Sequence, residues 1–164
     1  MSQVSFHPAT QSRFIDQLES AFHAGDPKAK AKDDENRNVR ALIDQYQAIA
    51  RGDFSAAIGA WDDEIEFEMI GPPGSILAGR WRGKDEVAAA VARNFSALED
   101  QEAEVVSLVA QGDTIAIFAR ERGRVRSTGK SYDCHWVQIY TFAGDKVKQL
   151  RSLVDTAAFL NAVM

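Results

Sequence analysis

The chain reads as an α+β domain: one mostly antiparallel sheet with helices on one face, able to curl around a pocket, and an extra helix at its N-terminus. Three observations predict this. Amphipathic helical patterns fill most of the first hundred residues, and long runs with period-two alternation fill the last third. The turns between those runs are short, which makes neighbouring strands antiparallel. Helices then gather on one face of a single sheet. The side chains facing the enclosed space decide the function.

Residues 10–23 place Phe14, Ile15, Leu18, Ala21 and Phe22 on one helical face, with Thr10 or Ser12 available as a cap, and Gly25-Asp-Pro27 stops that helix. Lys28 to Asn38 mixes charges and reads as a linker or solvated turn. A second helix runs from about Asn38 to Arg51 on Val39, Leu42, Ile43, Tyr46 and Ile49, and Gly52 ends it. Asp53 caps a short third helix carrying Phe54, Ala57, Ile58 and Trp61. Ile65 to Met69 alternates as a strand, and Gly71-Pro-Pro-Gly74 opens a loop reaching Gly83. A fourth helix buries Val87, Val91, Phe95 and Leu98. Strands follow over Val105–Ala110, from Thr114, over Tyr132–Phe142 and over Val147–Val154, and Asp155 caps a terminal helix. Residues 1–35 form an N-terminal extension and linker, and 36–164 form the main domain.

A chain of 164 residues with 45% hydrophobic and 26% charged side chains is one ordinary globular domain. A net charge of −5 argues against general affinity for nucleic acid or anionic membrane. The N-terminus lacks a secretory pattern and no apolar run reaches membrane-spanning length, so a cytoplasmic location is expected. Cys134 is the single cysteine, which excludes an internal disulfide. His7, His23 and His135 have no metal-ligand spacing, so neither metal nor cofactor is expected. Gly123 to Ser131 nearly spells a phosphate-binding loop, but it has one residue too many between its glycines and joins two strands. Arg120, Arg122, Arg124 and Arg126 form a basic stripe without interleaved aromatics. It is expected to pair with Glu99, Asp100, Glu102 or Glu104 rather than with nucleic acid.

Three segments carry a family resemblance: Ala50-Arg-Gly-Asp-Phe with Trp61-Asp-Asp-Glu-Ile-Glu-Phe-Glu68, then Leu77 to Val87, then Asp145 to Asp155. In this order they resemble the SnoaL-like branch of the nuclear-transport-factor-two-like superfamily. The resemblance implies a cone enclosing an apolar cavity, and a homodimer formed through the outer face of the sheet. Relatives include ketosteroid isomerases, polyketide cyclases and limonene epoxide hydrolases, so fold alone does not choose the reaction. The epoxide hydrolase's Asp–Arg–Asp set falls here on Glu121, Ala119 and Ser152, which lack the arginine and one aspartate. The ketosteroid isomerase's base falls on Glu68. Its oxyanion aspartate falls on Gln138, and its tyrosine on Gln45 or, one residue off register, Tyr46.

Glu68 and Glu121 are the catalytic candidates that follow. For Glu68 two readings stand: the resemblance turns it inward as a proton-abstracting base, whereas alternation sends Glu66 and Glu68 to solvent and builds the core from Ile65, Phe67 and Met69. Glu121 is either a second pocket carboxylate or the partner of a nearby arginine. Tyr46 and Gln138 are candidate holders of a carbonyl oxygen, although a tyrosine in this place also serves a plain core role. Alternation combined with the family register turns Cys134, Trp136 and Gln138 inward, and likewise Ser152 and Val154. With Phe159, these are the expected substrate-binding residues. The function that follows is cofactor-free isomerisation, cyclisation or dehydration of an apolar, oxygen-bearing small molecule. The rival reading is a binding or interaction module without catalysis.

Overall fold

The computed structural model describes residues 8–23, 33–71, 75 and 77–164. The Gly25-Asp-Pro27 stop and the Pro-Pro turn of the loop after the first strand lie outside the described residues.

The element order is α1 (Pro8–His23), α2 (Asp33–Ala50), α3 (Phe54–Gly59), β1 (Trp61–Ile70), β2 (Gly79–Arg82), α4 (Lys84–Ser96), β3 (Leu98–Gln111), β4 (Thr114–Val125), β5 (Ser131–Ala143), β6 (Lys146–Val154) and α5 (Thr156–Val163). The strands form one six-stranded sheet in the order β2-β1-β6-β5-β4-β3. Every neighbouring pair is antiparallel except β1 with β6, which is parallel. β3 to β6 are joined by hairpins; Gly112 and Gly144 take the positive φ values of 60° and 63° that such tight turns require.

One face of this sheet carries the core. Ile65 and Phe67 of β1, Ile115, Ile117 and Ala119 of β4, Tyr140 and Phe142 of β5, and Val147 and Leu150 of β6 are all buried. They meet Val39, Leu42 and Ile43 of α2 and Val87 and Ala90 of α4 in one continuous cluster. Phe14, Ile15 and Leu18 of α1 belong to the same cluster, so the N-terminal helix packs on this chain's own sheet and on α2. Gln17 fixes its position. The Gln17 Oε1 accepts from the Val105 amide at 2.8 Å on β3, the edge strand of the sheet.

Several local expectations change. α1 begins at Pro8, so Thr10 and Ser12 lie within the helix rather than capping it. α2 starts at Asp33, inside the stretch read as linker. Its polar first turns have work to do: Glu35 accepts from the Gly112 amide at 2.7 Å, which anchors the β3–β4 hairpin. Trp61 opens β1 instead of closing α3, and its buried indole donates to Gln45 Oε1 at 3.2 Å. Leu98 opens β3 rather than ending α4. Gly79–Arg82, read as loop, is the edge strand β2. The cap assignments at Asp53 and Asp155 hold: each carboxylate accepts from backbone amides of the turn it precedes.

Leu18 is fully buried although it lies outside the main 36–164 segment. Leu18→Ala is expected to lower unfolding stability by about 2–5 kcal/mol, against less than about 0.5 kcal/mol for the exposed Arg13→Ala, both read from urea denaturation. Equal midpoints for the two variants would mean that α1 is not part of the cooperative core.

Candidate functional site

β4 and β5 supply the chemistry, because their alternation is unbroken and their inner faces lie side by side. On β4, Ala119, Glu121 and Gly123 face inward; on β5, Tyr132, Cys134, Trp136, Gln138 and Tyr140 do so, in direct register with them. Three neutral donors converge on Glu121. The Tyr132 hydroxyl donates to its Oε1 at 2.6 Å, Gln101 Nε2 to the same oxygen at 3.1 Å, and the Trp136 indole to Oε2 at 3.0 Å. A carboxylate offers roughly four acceptor positions, so this arrangement leaves capacity on Oε2.

Two backbone features make the convergence possible. Gly123 lies opposite Tyr132, and a Cβ there would meet the Tyr132 hydroxyl at 2.6 Å, so a side chain at 123 would push the phenol off Glu121. Facing Gly123, β3 bulges by one residue between Glu99 and Glu102, with Asp100 at a φ of 52°. Aspartate is among the few residues that tolerate this left-handed conformation. The bulge lets Leu98 and Gln101, three residues apart, both line the cavity.

A second polar cluster stands in the same space. The hydroxyls of Tyr46 and Tyr140 each lie within hydrogen-bonding distance of Gln138 Oε1, at 2.9 and 2.7 Å, and lie 2.9 Å from each other. The cavity between the clusters has two adjoining lobes of about 130 and about 140 Å³. Tyr46, Ile49, Phe95, Gln101, Glu121, Trp136 and Gln138 border both lobes; Phe14 and Ile15 of α1 cover one, and Phe67, Leu77, Leu150 and Phe159 enclose the other. Among the described residues Glu121 is the one charged side chain in these walls.

The structure brings Tyr46, Glu121, Cys134, Trp136, Gln138, Ser152, Val154 and Phe159 to the walls of this cavity. Glu68 is not there, which corrects the inward placement implied by the family register. Ile65, Phe67 and Met69 take the inner face of β1, so Glu68 must point outward. There it accepts from Arg80 Nε at 2.7 Å and lies 3.5 Å from Arg151 Nε, both residues being its register partners on the flanking strands. The arginine-paired alternative for Glu121 is likewise replaced by neutral donors. The arginine stripe lies on the outer face, where Arg120 makes two hydrogen bonds to Asp133 and Arg124 and Arg126 pair with Glu99. Gln101, Tyr132, Tyr140 and the α1 residues were missed as site residues. Tyr132 and Tyr140 share parity with Cys134 and Gln138, so one further step of the same alternation finds them.

Burial sets the protonation of the neutral groups. Removal from water pushes the Tyr46 hydroxyl up to about 12, and the Tyr140 phenol also rises by burial. Tyr132 rises first through burial and then through the facing Glu121 charge. The Cys134 thiol is pushed up to about 12 for the same two reasons, so it is not an activated nucleophile. The phenols are therefore proton donors at neutral pH.

The sequence model of the SnoaL-like domain matches residues 39–150. With more than half its length matched, and with this cone-shaped sheet and helical cover, the chain belongs to the SnoaL-like family. Solved structures agree. A protein of the nuclear-transport-factor-two-like class from Burkholderia xenovorans LB400 is 29% identical, with a TM-score of 0.69 over 79% of this chain and 97% of that one. Another from Burkholderia thailandensis E264 is 25% identical, with a TM-score of 0.67 over 76% and 95%. A putative SnoaL-like polyketide cyclase from Jannaschia sp. CCS1 shares the fold at a TM-score of 0.70 and 18% identity, over 80% and 94%. No curated protein matches the chain.

The raised values have a definite sign. Below pH 10 the buried phenols are neutral whether the chain is folded or not, and their full contribution to stability is present. As pH rises from 10 toward 12 the unfolded chain ionises before folded Tyr46 does, and stability falls. Urea midpoints are expected to be lower at pH 11 than at pH 8. At pH 8 the Cys134 thiol should react with Ellman's reagent only after denaturant is added; immediate reaction in buffer would contradict its enclosure.

Proposed function

We propose that this protein is a small enzyme that moves protons, without a cofactor, on an apolar, oxygen-bearing molecule held in the cavity. The observation that carries the reading is the placement of a lone carboxylate and a pair of neutral phenols around one apolar space. Glu121 would take a proton from a carbon beside the substrate carbonyl. The electron pair of that C–H bond moves toward the carbonyl oxygen, and the Tyr46 or Tyr140 hydroxyl donates a hydrogen bond to the resulting enolate. Returning the proton to a different carbon completes an isomerisation; attack of the enolate carbon on a carbonyl of the same molecule, with Glu121 returning its proton to the resulting alkoxide, completes a cyclisation. Gln101, Tyr132 and Trp136 hold the carboxylate in one orientation, so no reorganisation is needed at the moment of transfer. The putative cyclase among the fold neighbours supports a reaction of this class.

A panel of β,γ-unsaturated ketones, followed by the ultraviolet absorbance of the conjugated product, tests the reading. Glu121→Gln is expected to cut turnover by about 10²–10⁴-fold while remaining folded, and Glu68→Gln to leave it unchanged. Unimpaired turnover in Glu121→Gln would remove the proposed proton carrier.

The outer face supports a homodimer. Ile70, Leu153, Val137 and Phe118 are cross-strand neighbours and form an apolar band over four strands, with Ile70, Leu153 and Phe118 each about 40% exposed. Light scattering coupled to size-exclusion chromatography is expected to give twice the 18.1 kDa chain mass, and Phe118→Glu to give the single mass. A wild-type protein that is monomeric at high concentration would contradict this.

A further inference from the structure

We propose that the cavity takes a molecule carrying a protonated nitrogen on an apolar body, and that Glu121 makes the site choose the cation. This rests on the reading above that the cavity is the ligand site, and it narrows the chemical class of the ligand. Charge is the first argument. Among the described residues the walls hold one carboxylate and no lysine, arginine or histidine, so nothing there would neutralise an anionic ligand. Glu121 is half-buried with no cationic side chain beside it in these walls, and its three donors are all neutral. A cation supplied by the ligand completes the pair, and Oε2 retains an acceptor position for its N–H.

The surrounding groups point the same way. Phe14, Tyr46 and Trp136 cluster beside Glu121, with ring centroids 5.1 Å apart for Phe14–Tyr46 and 6.1 Å for Phe14–Trp136, and aromatic faces attract cations. Asn94 is a further wall residue, and its Oδ1 is buried without a hydrogen-bond partner, an acceptor still lacking a donor. The two lobes are each near the size at which an apolar cavity accepts one aromatic ring, roughly 150 Å³ in a known engineered case. An apolar body of at least one aromatic ring with a short aminoalkyl arm therefore suits the space.

A matched ligand series tests this on the wild-type protein. Binding of 2-(1-naphthyl)ethylamine, 2-(1-naphthyl)ethanol and 1-naphthylacetate is measured by calorimetry at pH 7, where the amine is protonated and the acid ionised. The ammonium is expected to bind more than about tenfold tighter than the alcohol, and the carboxylate more weakly than either. In Glu121→Gln the ammonium-to-alcohol ratio should fall to within about twofold of unity. The series on the unmodified chain decides the matter should that variant fail to fold. If the alcohol equals the ammonium, or the carboxylate binds best, the proposal is overturned while the cavity remains a ligand site. If none of the three binds, the proposal and the ligand-site reading fall together.

Discussion

The molecule is organised around one constraint: a half-buried carboxylate faces an apolar cavity and is held there without a cation. Glu121 meets it with hydrogen bonds from a phenol, an indole and an amide brought in from two flanking strands. Each donor depends on backbone that would otherwise look incidental. Gly123 gives the Tyr132 ring its room, and the bulge at Asp100 lets β3 turn Gln101 inward where the strand would otherwise have to choose between it and Leu98. The strained φ at Asp100 sits beside the proposed reaction centre, a place where strain is worth its cost when it aims a side chain.

The rest of the fold builds the largely apolar walls around that carboxylate. Curvature leaves a hollow on the inner face of the sheet that α2 and α4 fill only in part, and α1 closes the remaining side with Phe14 and Ile15. Gln17 fastens the helix to the bulged edge of β3, so the cover is held by a directed bond as well as by burial. Glu68 shows the opposite treatment of the same side chain. On the outer face it lies between Arg80 and Arg151, in an exposed ladder of a kind that contributes at most about 1 kcal/mol. Two glutamates on strands of one sheet thus differ in chemistry because they differ in face.

Much of this was legible in the chain. The helices and the long meander follow from periodicity. Alternation on β4 and β5 grouped Glu121 with Ala119, and Cys134 with Trp136 and Gln138, and the family resemblance chose which of the two faces is inward. Glu68 is the instructive case: alternation of Ile65, Phe67 and Met69 favoured an outward glutamate, resemblance to a relative's base pulled it inward, and the alternation was the better physical signal. Gln101 was hidden because β3 carries two bulges and its alternation breaks twice. β2 was hidden because four residues between a proline-rich loop and a helix leave too little pattern to read. The polar start of α2 resembled a linker because its partner, the Gly112 amide, lies 77 residues away along the chain.

The account stands on Glu121, and not Glu68, belonging to the functional cavity. The most direct measurement follows the side-chain carboxyl carbons of both residues by nuclear magnetic resonance as a saturating naphthyl alcohol is added. The Glu121 resonance is predicted to move while that of Glu68 stays in place. Movement of Glu68 with Glu121 unchanged would put the ligand on the outer face and contradict the account.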